Sequence, residues 1–175
     1  MPVSDSSSAA LPIARVVLRI LVVMNWLGGA AIVVLLVAMP TRQWIMSALE
    51  LVPSPEADRI VLGLRAIAVI GLGAMPLNYA ILKRLLAIVE TVRTGDPFIG
   101  ANAQRLQTIA WALLALQLLS LVIGAIVKAI STPMHPVKID AGFSLNGWLA
   151  VLLTFLLARV FAKGTLMRED LEGTV

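Results

Sequence analysis

The chain has 175 residues, 59% of them hydrophobic and 14% charged, with 14 Lys and Arg against 10 Asp and Glu. A soluble domain averages about 45–50% apolar and about 25% charged, so both departures point to lipid, as does the mean hydropathy of +0.94. The lack of cysteine excludes disulfides, thiolate nucleophiles and cysteine-ligated metals. The net charge of +4 lies mostly beside apolar runs, as expected of membrane flanks facing anionic lipid, and does not signal direct nucleic-acid binding.

Four apolar runs, 20–39, 60–82, 109–130 and 143–162, organise the sequence. Crossing a hydrocarbon core of about 30 Å takes about 20 helical residues, and each run meets or approaches that length. The expected fold is all-α, a four-helix transmembrane bundle with helices two and three extended into a cytoplasmic hairpin. The lipid bilayer is its first partner. The domain division is a mobile N-terminal tail over 1–11, a transmembrane domain over 12–163 and a cytoplasmic C-terminal tail over 164–175.

Residues 1–11 are Ser- and Ala-rich without apolar periodicity. Arg15 and Arg19 precede the first run. That run exceeds a signal-peptide core of about 7–15 residues and no small-x-small site follows, so it reads as a retained helix. Gly28, Gly29, Ala30 and Ala31 permit close helix approach. After Pro40, the residues Trp44, Ile45, Ala48, Leu49 and Val52 recur at helical spacing. They predict a short amphipathic helix at the interface, with Trp44 at headgroup depth, broken by Pro53 and Pro55.

The second long helix extends from near Glu56 to Thr94. Pro76, after Gly71, Gly73 and Ala74, removes a helical hydrogen bond and predicts a kink. Beyond it, Leu85, Ile88, Val89 and Val92 alternate with Lys83, Arg84, Glu90 and Arg93 at helical spacing, which predicts a helix leaving the membrane. Gly95-Asp96-Pro97 is a stop and restart in which Asp96 caps the next helix and Pro97 takes its first position. Asn102, Gln104, Arg105 and Gln107 give that helix a polar beginning, hence the projecting hairpin. Residues 131–142 read as a loop. The last helix starts near Ser144 and ends around Arg159 to Lys163, before a tail carrying Glu169, Asp170 and Glu172.

Nine basic residues (Arg15, Arg19, Lys83, Arg84, Arg93, Arg105, Arg159, Lys163, Arg168) fall on one side and five (Arg42, Arg59, Arg65, Lys128, Lys138) on the other. The positive-inside rule then puts both termini and the hairpin in the cytoplasm.

Arg65 lies about two turns inside the second helix. It reads either as part of a ligand or ion site or as a side chain snorkelling to headgroups beside Asp58, Glu56 or Glu50, and snorkelling is the commoner fate of such a residue. Asn25, Asn78 and Gln117 are polar at membrane depth. They either line a shared site with Arg65 or hydrogen-bond across helices, as such residues usually do. His135 is the lone histidine and forms no metal or haem site by itself. No cofactor is expected and no enzymatic constellation stands out.

Two segments, Gly95-Asp96-Pro97-Phe98 with Asn102, Arg105 and Leu106, and the stretch from Val160 through Gly164 and Leu166 to Val175, resemble the bacterial membrane family catalogued as domain of unknown function 2975. Leu171 and Gly173 depart from the family's usual ending. The resemblance implies a small four-helix inner-membrane protein without an assigned activity. Genes of this family often sit beside one for a small helix-turn-helix regulator, which implies a regulatory partner. The expected function is non-enzymatic docking or control of a cytoplasmic protein through Asp96, Pro97, Phe98, Asn102, Arg105, Glu169, Asp170, Thr174 and Val175, with homo-oligomerisation open. The alternative is a small-molecule binder or transporter using Arg65, Asn25, Asn78 and Gln117.

Overall fold

The computed structural model describes residues 6–38, 42–48, 52–95, 97–133 and 135–172. They form five helices: α1 (Ser6–Ala38), α2 (Arg42–Ala48), α3 (Pro55–Arg93), α4 (Gly100–Ile130) and α5 (Leu145–Glu172). Among the described residues, α1, α3, α4 and α5 are long and apolar enough to cross a membrane. The fold is all-α, as the four runs predict.

Local chemistry accounts for the element boundaries. Ser54 caps α3 by accepting a hydrogen bond from the Ala57 N–H at 3.1 Å, with Pro55 opening the helix and Glu56 and Asp58 in the first turn. The helix then continues for 39 residues, about 58 Å at 1.5 Å per residue and roughly twice the hydrocarbon thickness. Just past its C-cap Thr94, Gly95 turns the chain out of α3 with φ +87, a conformation that glycine takes without steric cost.

Helices pack on their neighbours in chain order. α1 lies on α3, α3 on α4 and α4 on α5, while α2 rests on α3. Among the described residues, no close backbone approach joins α1 to α4 or α5, or α3 to α5. The long helices therefore form an open row. Small residues make the seams tight, since lipid supplies no hydrophobic drive between helices. Gly29 faces Met75, Gly63 faces Ile130, Gly124 faces Gly142 and Gly147 faces Gln117. The start of α1, the α3–α4 turn and the end of α5 share one end of the row, as the Arg15–Glu90 and Phe98–Phe161 contacts require.

Four features differ from the sequence expectations. α4 begins at Gly100 with Ile99 as its N-cap and no capping side chain, so Pro97 lies before the helix and does not take its first position. α1 begins at Ser6, within the stretch read as a tail. α5 runs unbroken through Gly164 to Glu172 instead of ending near Lys163, with Gly164 packed against Phe98 and Thr165 buried, so tertiary contacts hold the helix beyond the glycine. The short helix is present as α2, but it docks on protein. Ile45 and Met46 are buried with Ala57, Ile60, Val61 and Ile130, whereas Val52 is exposed. Pro76 lies inside α3.

The connection between α4 and α5 folds back along α4. The Gly142 N–H donates to Ser120 Oγ at 3.1 Å, and that hydroxyl donates to the Gly142 carbonyl at 3.2 Å. Ser120 lies ten residues before the end of α4 at Ile130, about 15 Å along the axis. A single hydroxyl thus satisfies both backbone groups of Gly142 at a depth where water is scarce. The last helix accordingly starts part-way down its neighbour, beside Gln117.

Candidate functional site

The hairpin end is built around Asn102, which is fully buried. Its Nδ2 donates to Thr91 Oγ1 at 2.7 Å and to the Pro97 carbonyl at 2.8 Å. Arg105 Nη1 donates to Asn102 Oδ1 at 2.8 Å and to the Ala87 carbonyl at 3.4 Å. The Thr91 hydroxyl in turn donates to the Ile88 carbonyl at 2.7 Å. The network ties the last turns of α3 to the first turns of α4 and leaves both amide hydrogens of Asn102 partnered. α1 joins through Glu90, which accepts from Arg15 and, at 2.7 Å, from Arg93.

Phe98 continues the site toward α5. Its ring stacks on Phe161 with centroids 5.2 Å apart. Gly164 lies directly beneath, where an added Cβ would come within 3.3 Å of Phe98 Cδ1. The two segments singled out in the sequence, one at the turn and one near the C-terminus, therefore meet in space. Beside this contact, α4 and α5 enclose a groove of about 420 Å³ lined by Gly100, Ala103, Gln104, Gln107, Phe155, Ala158, Arg159, Ala162, Thr165 and Leu166. The polar side chains of the lining are Gln104, Gln107, Arg159 and Thr165, so the groove presents amides, one cation and apolar walls.

The residues expected to bind a partner divide sharply. Asn102 is spent inside the hairpin, and so is the Pro97 carbonyl, while Arg105 is partly buried and engaged. Their place is in holding the turn. Phe98 is 45% exposed and remains available at the surface. Glu169 and Asp170 fall in the last turn of α5, with side chains outside the described portion. Asp96, Thr174 and Val175 lie outside the described residues.

The alternative polar set is spread over different seams. Asn25 Nδ2 donates to the Met75 carbonyl at 3.4 Å, across α1 and α3. Gln117 is buried between α4 and α5, its Oε1 against Gly147 and its Nε2 unpartnered. Arg65 and Asn78 are partly buried on α3. The groove that contains Asn25 takes in none of the other three.

Sequence reasoning missed Thr91 and the α5 face of the groove. Its signal was present. Ala158, Ala162 and Thr165 recur at i, i+4 and i+7, the spacing of a close-packing stripe on one helix face.

Four apolar helices of spanning length, packed through small-residue seams, define an α-helical membrane protein of the multi-pass class. The family model described as Protein of unknown function (DUF2975) matches residues 40–175, more than three-quarters of the chain, and the protein belongs to that family. The match takes in α2 to α5 and the hairpin site apart from Arg15, and α1 precedes it. No curated protein and no solved structure matches the chain.

Proposed function

We propose that this protein is a non-enzymatic component of the bacterial inner membrane, with both termini and the α3–α4 hairpin in the cytoplasm, and that it docks a cytoplasmic protein at the α4–α5 groove. The orientation rests on the nine-to-five distribution of basic residues. The observation that carries the docking reading is the meeting of Phe98 with Phe161 and Gly164, which shapes a groove at the hairpin end. Ala103, Gln104 and Gln107 precede the third apolar run while Phe155, Ala158 and Ala162 belong to the fourth, so this groove straddles the hydrocarbon edge, with Thr165 and Leu166 at its outer end. There Leu166 and Met167 are 60% and 67% exposed. Apolar side chains facing water rather than lipid favour a protein occupant, and Arg159 with Gln104 and Gln107 favours one with an acidic group. A small transcription regulator is one partner of that kind.

The small-molecule reading requires Arg65, Asn25, Asn78 and Gln117 to share a cavity. It loses its main support because Asn25 and Gln117 belong to different seams.

Site-specific photo-crosslinking in native membranes tests the proposal. A photoreactive residue at position 104 or 166 should capture one discrete protein, and the Arg159→Glu substitution should abolish that capture. The same residue at lipid-facing position 152 should not capture it. Equal capture at all three positions, or capture indifferent to Arg159→Glu, would overturn the docking site.

A further inference from the structure

A second groove, between α1 and α3, combines an apolar floor with a charged rim. Its volume is about 640 Å³, and Gly29, Ala30, Val33, Leu72 and Met75 wall it. Along α1 the lining runs from Asn25 to Val34, about 14 Å at helical rise. That is roughly half the hydrocarbon thickness, the depth of one leaflet. Toward the hairpin end it is framed by Trp26 and Tyr79, whose rings meet edge to face at 5.7 Å.

The rim above those rings is cationic. Lys83 follows Tyr79 by one turn, with Nζ 6.0 Å from the ring centroid. Arg19 precedes Trp26 by seven residues and shares its helix face. Both side chains are exposed. Neighbouring cations are more tightly engaged: Arg15 and Arg93 bond Glu90 directly, while Arg19 acts on that carboxylate only through its field, and Arg84 donates to the Ala80 carbonyl at 3.2 Å.

We infer that this groove binds an anionic phospholipid, with one acyl chain between α1 and α3 and the headgroup phosphate held by Arg19 and Lys83. Apolar length, leaflet depth and rim charge each fit that ligand. A zwitterionic lipid offers the same chain without the net negative charge, so the two cations supply the selectivity. Each cation near an anionic headgroup is worth about fivefold in affinity, and the pair about thirtyfold.

Native mass spectrometry of the full-length protein in non-ionic detergent provides the test, with equimolar phosphatidylglycerol and phosphatidylcholine of identical chains. The wild-type protein should retain phosphatidylglycerol more than tenfold over phosphatidylcholine. Arg19→Gln with Lys83→Gln should bring the ratio near one, and glycerol phosphate alone should not compete. Ala30→Trp fills the groove from an exposed position and should strip both lipids. Because the first ratio is read on the unaltered protein, a poorly folding variant leaves the inference testable. Equal retention by the wild-type protein, a preference surviving the double substitution, or no effect of Ala30→Trp would each reduce the binding to annular lipid and overturn the site.

Discussion

Replacing Asn102 with Leu should open the hairpin end. The substitution keeps the number of side-chain heavy atoms and removes hydrogen bonds of 2.7, 2.8 and 2.8 Å to Thr91, Pro97 and Arg105. Each such bond contributes about 0.5–1.5 kcal/mol net, more where a charged donor takes part, and each buried group left unpartnered costs about 1–3 kcal/mol. Thr91 keeps its bond to Ile88 and Arg105 keeps the Ala87 carbonyl, so the main stranded group is the Pro97 carbonyl. The expected total is about 3–5 kcal/mol. Thr91→Val removes one bond and should cost about 1 kcal/mol, with a coupling to Asn102 of similar size in a double-mutant cycle. Because a hairpin end opens locally before the molecule unfolds, hydrogen exchange of amides 88–94 and 100–106 is the appropriate assay, with unfolding in mixed micelles as the global measure. Exchange rates unchanged by Asn102→Leu, and stability within about 0.5 kcal/mol of wild type, would refute the assignment of Asn102 as the hairpin lock.

Gly124→Leu should expel the α4–α5 connection, since a Cβ there would lie 2.6 Å from the Gly142 Cα, a backbone atom that can clear it only if the connection moves away from α4. With Phe143→Cys added as the labelling site, thiol reagents should then react faster from the aqueous side, and unchanged labelling would count against the folded-back connection. Ser120→Ala should do the same more weakly. Gly63→Ala should destabilise by about 1–3 kcal/mol through overpacking, because its Cβ would meet Ile130 Cγ2 at 2.5 Å, and Ile130→Ala in the same chain should recover part of the loss; additive losses would contradict that contact. Reporter fusions after Pro55 and His135 should be external and those after Gly95 and Val175 internal, and an external C-terminus would reverse the proposed orientation.

The sequence by itself determined the solvent and the number of crossings. A helix in lipid must satisfy its own backbone and cover roughly 30 Å with apolar side chains, so run length alone is sufficient. The bounds of α3 were legible for a similar reason: Pro55 and Gly95 act through local chemistry. Packing was not legible, because in lipid an apolar side chain facing a helix looks like one facing the bilayer. Only the tertiary structure decided that the helices form an open row and that Asn102 is an internal lock. It likewise brought Phe98 to Phe161, with Gly164 spaced to let the rings meet. The same holds for Ser120. Its hydroxyl in the middle of an apolar run reads as incidental, and only the returning Gly142 backbone reveals it as the group that lets a connection enter the depth of the membrane.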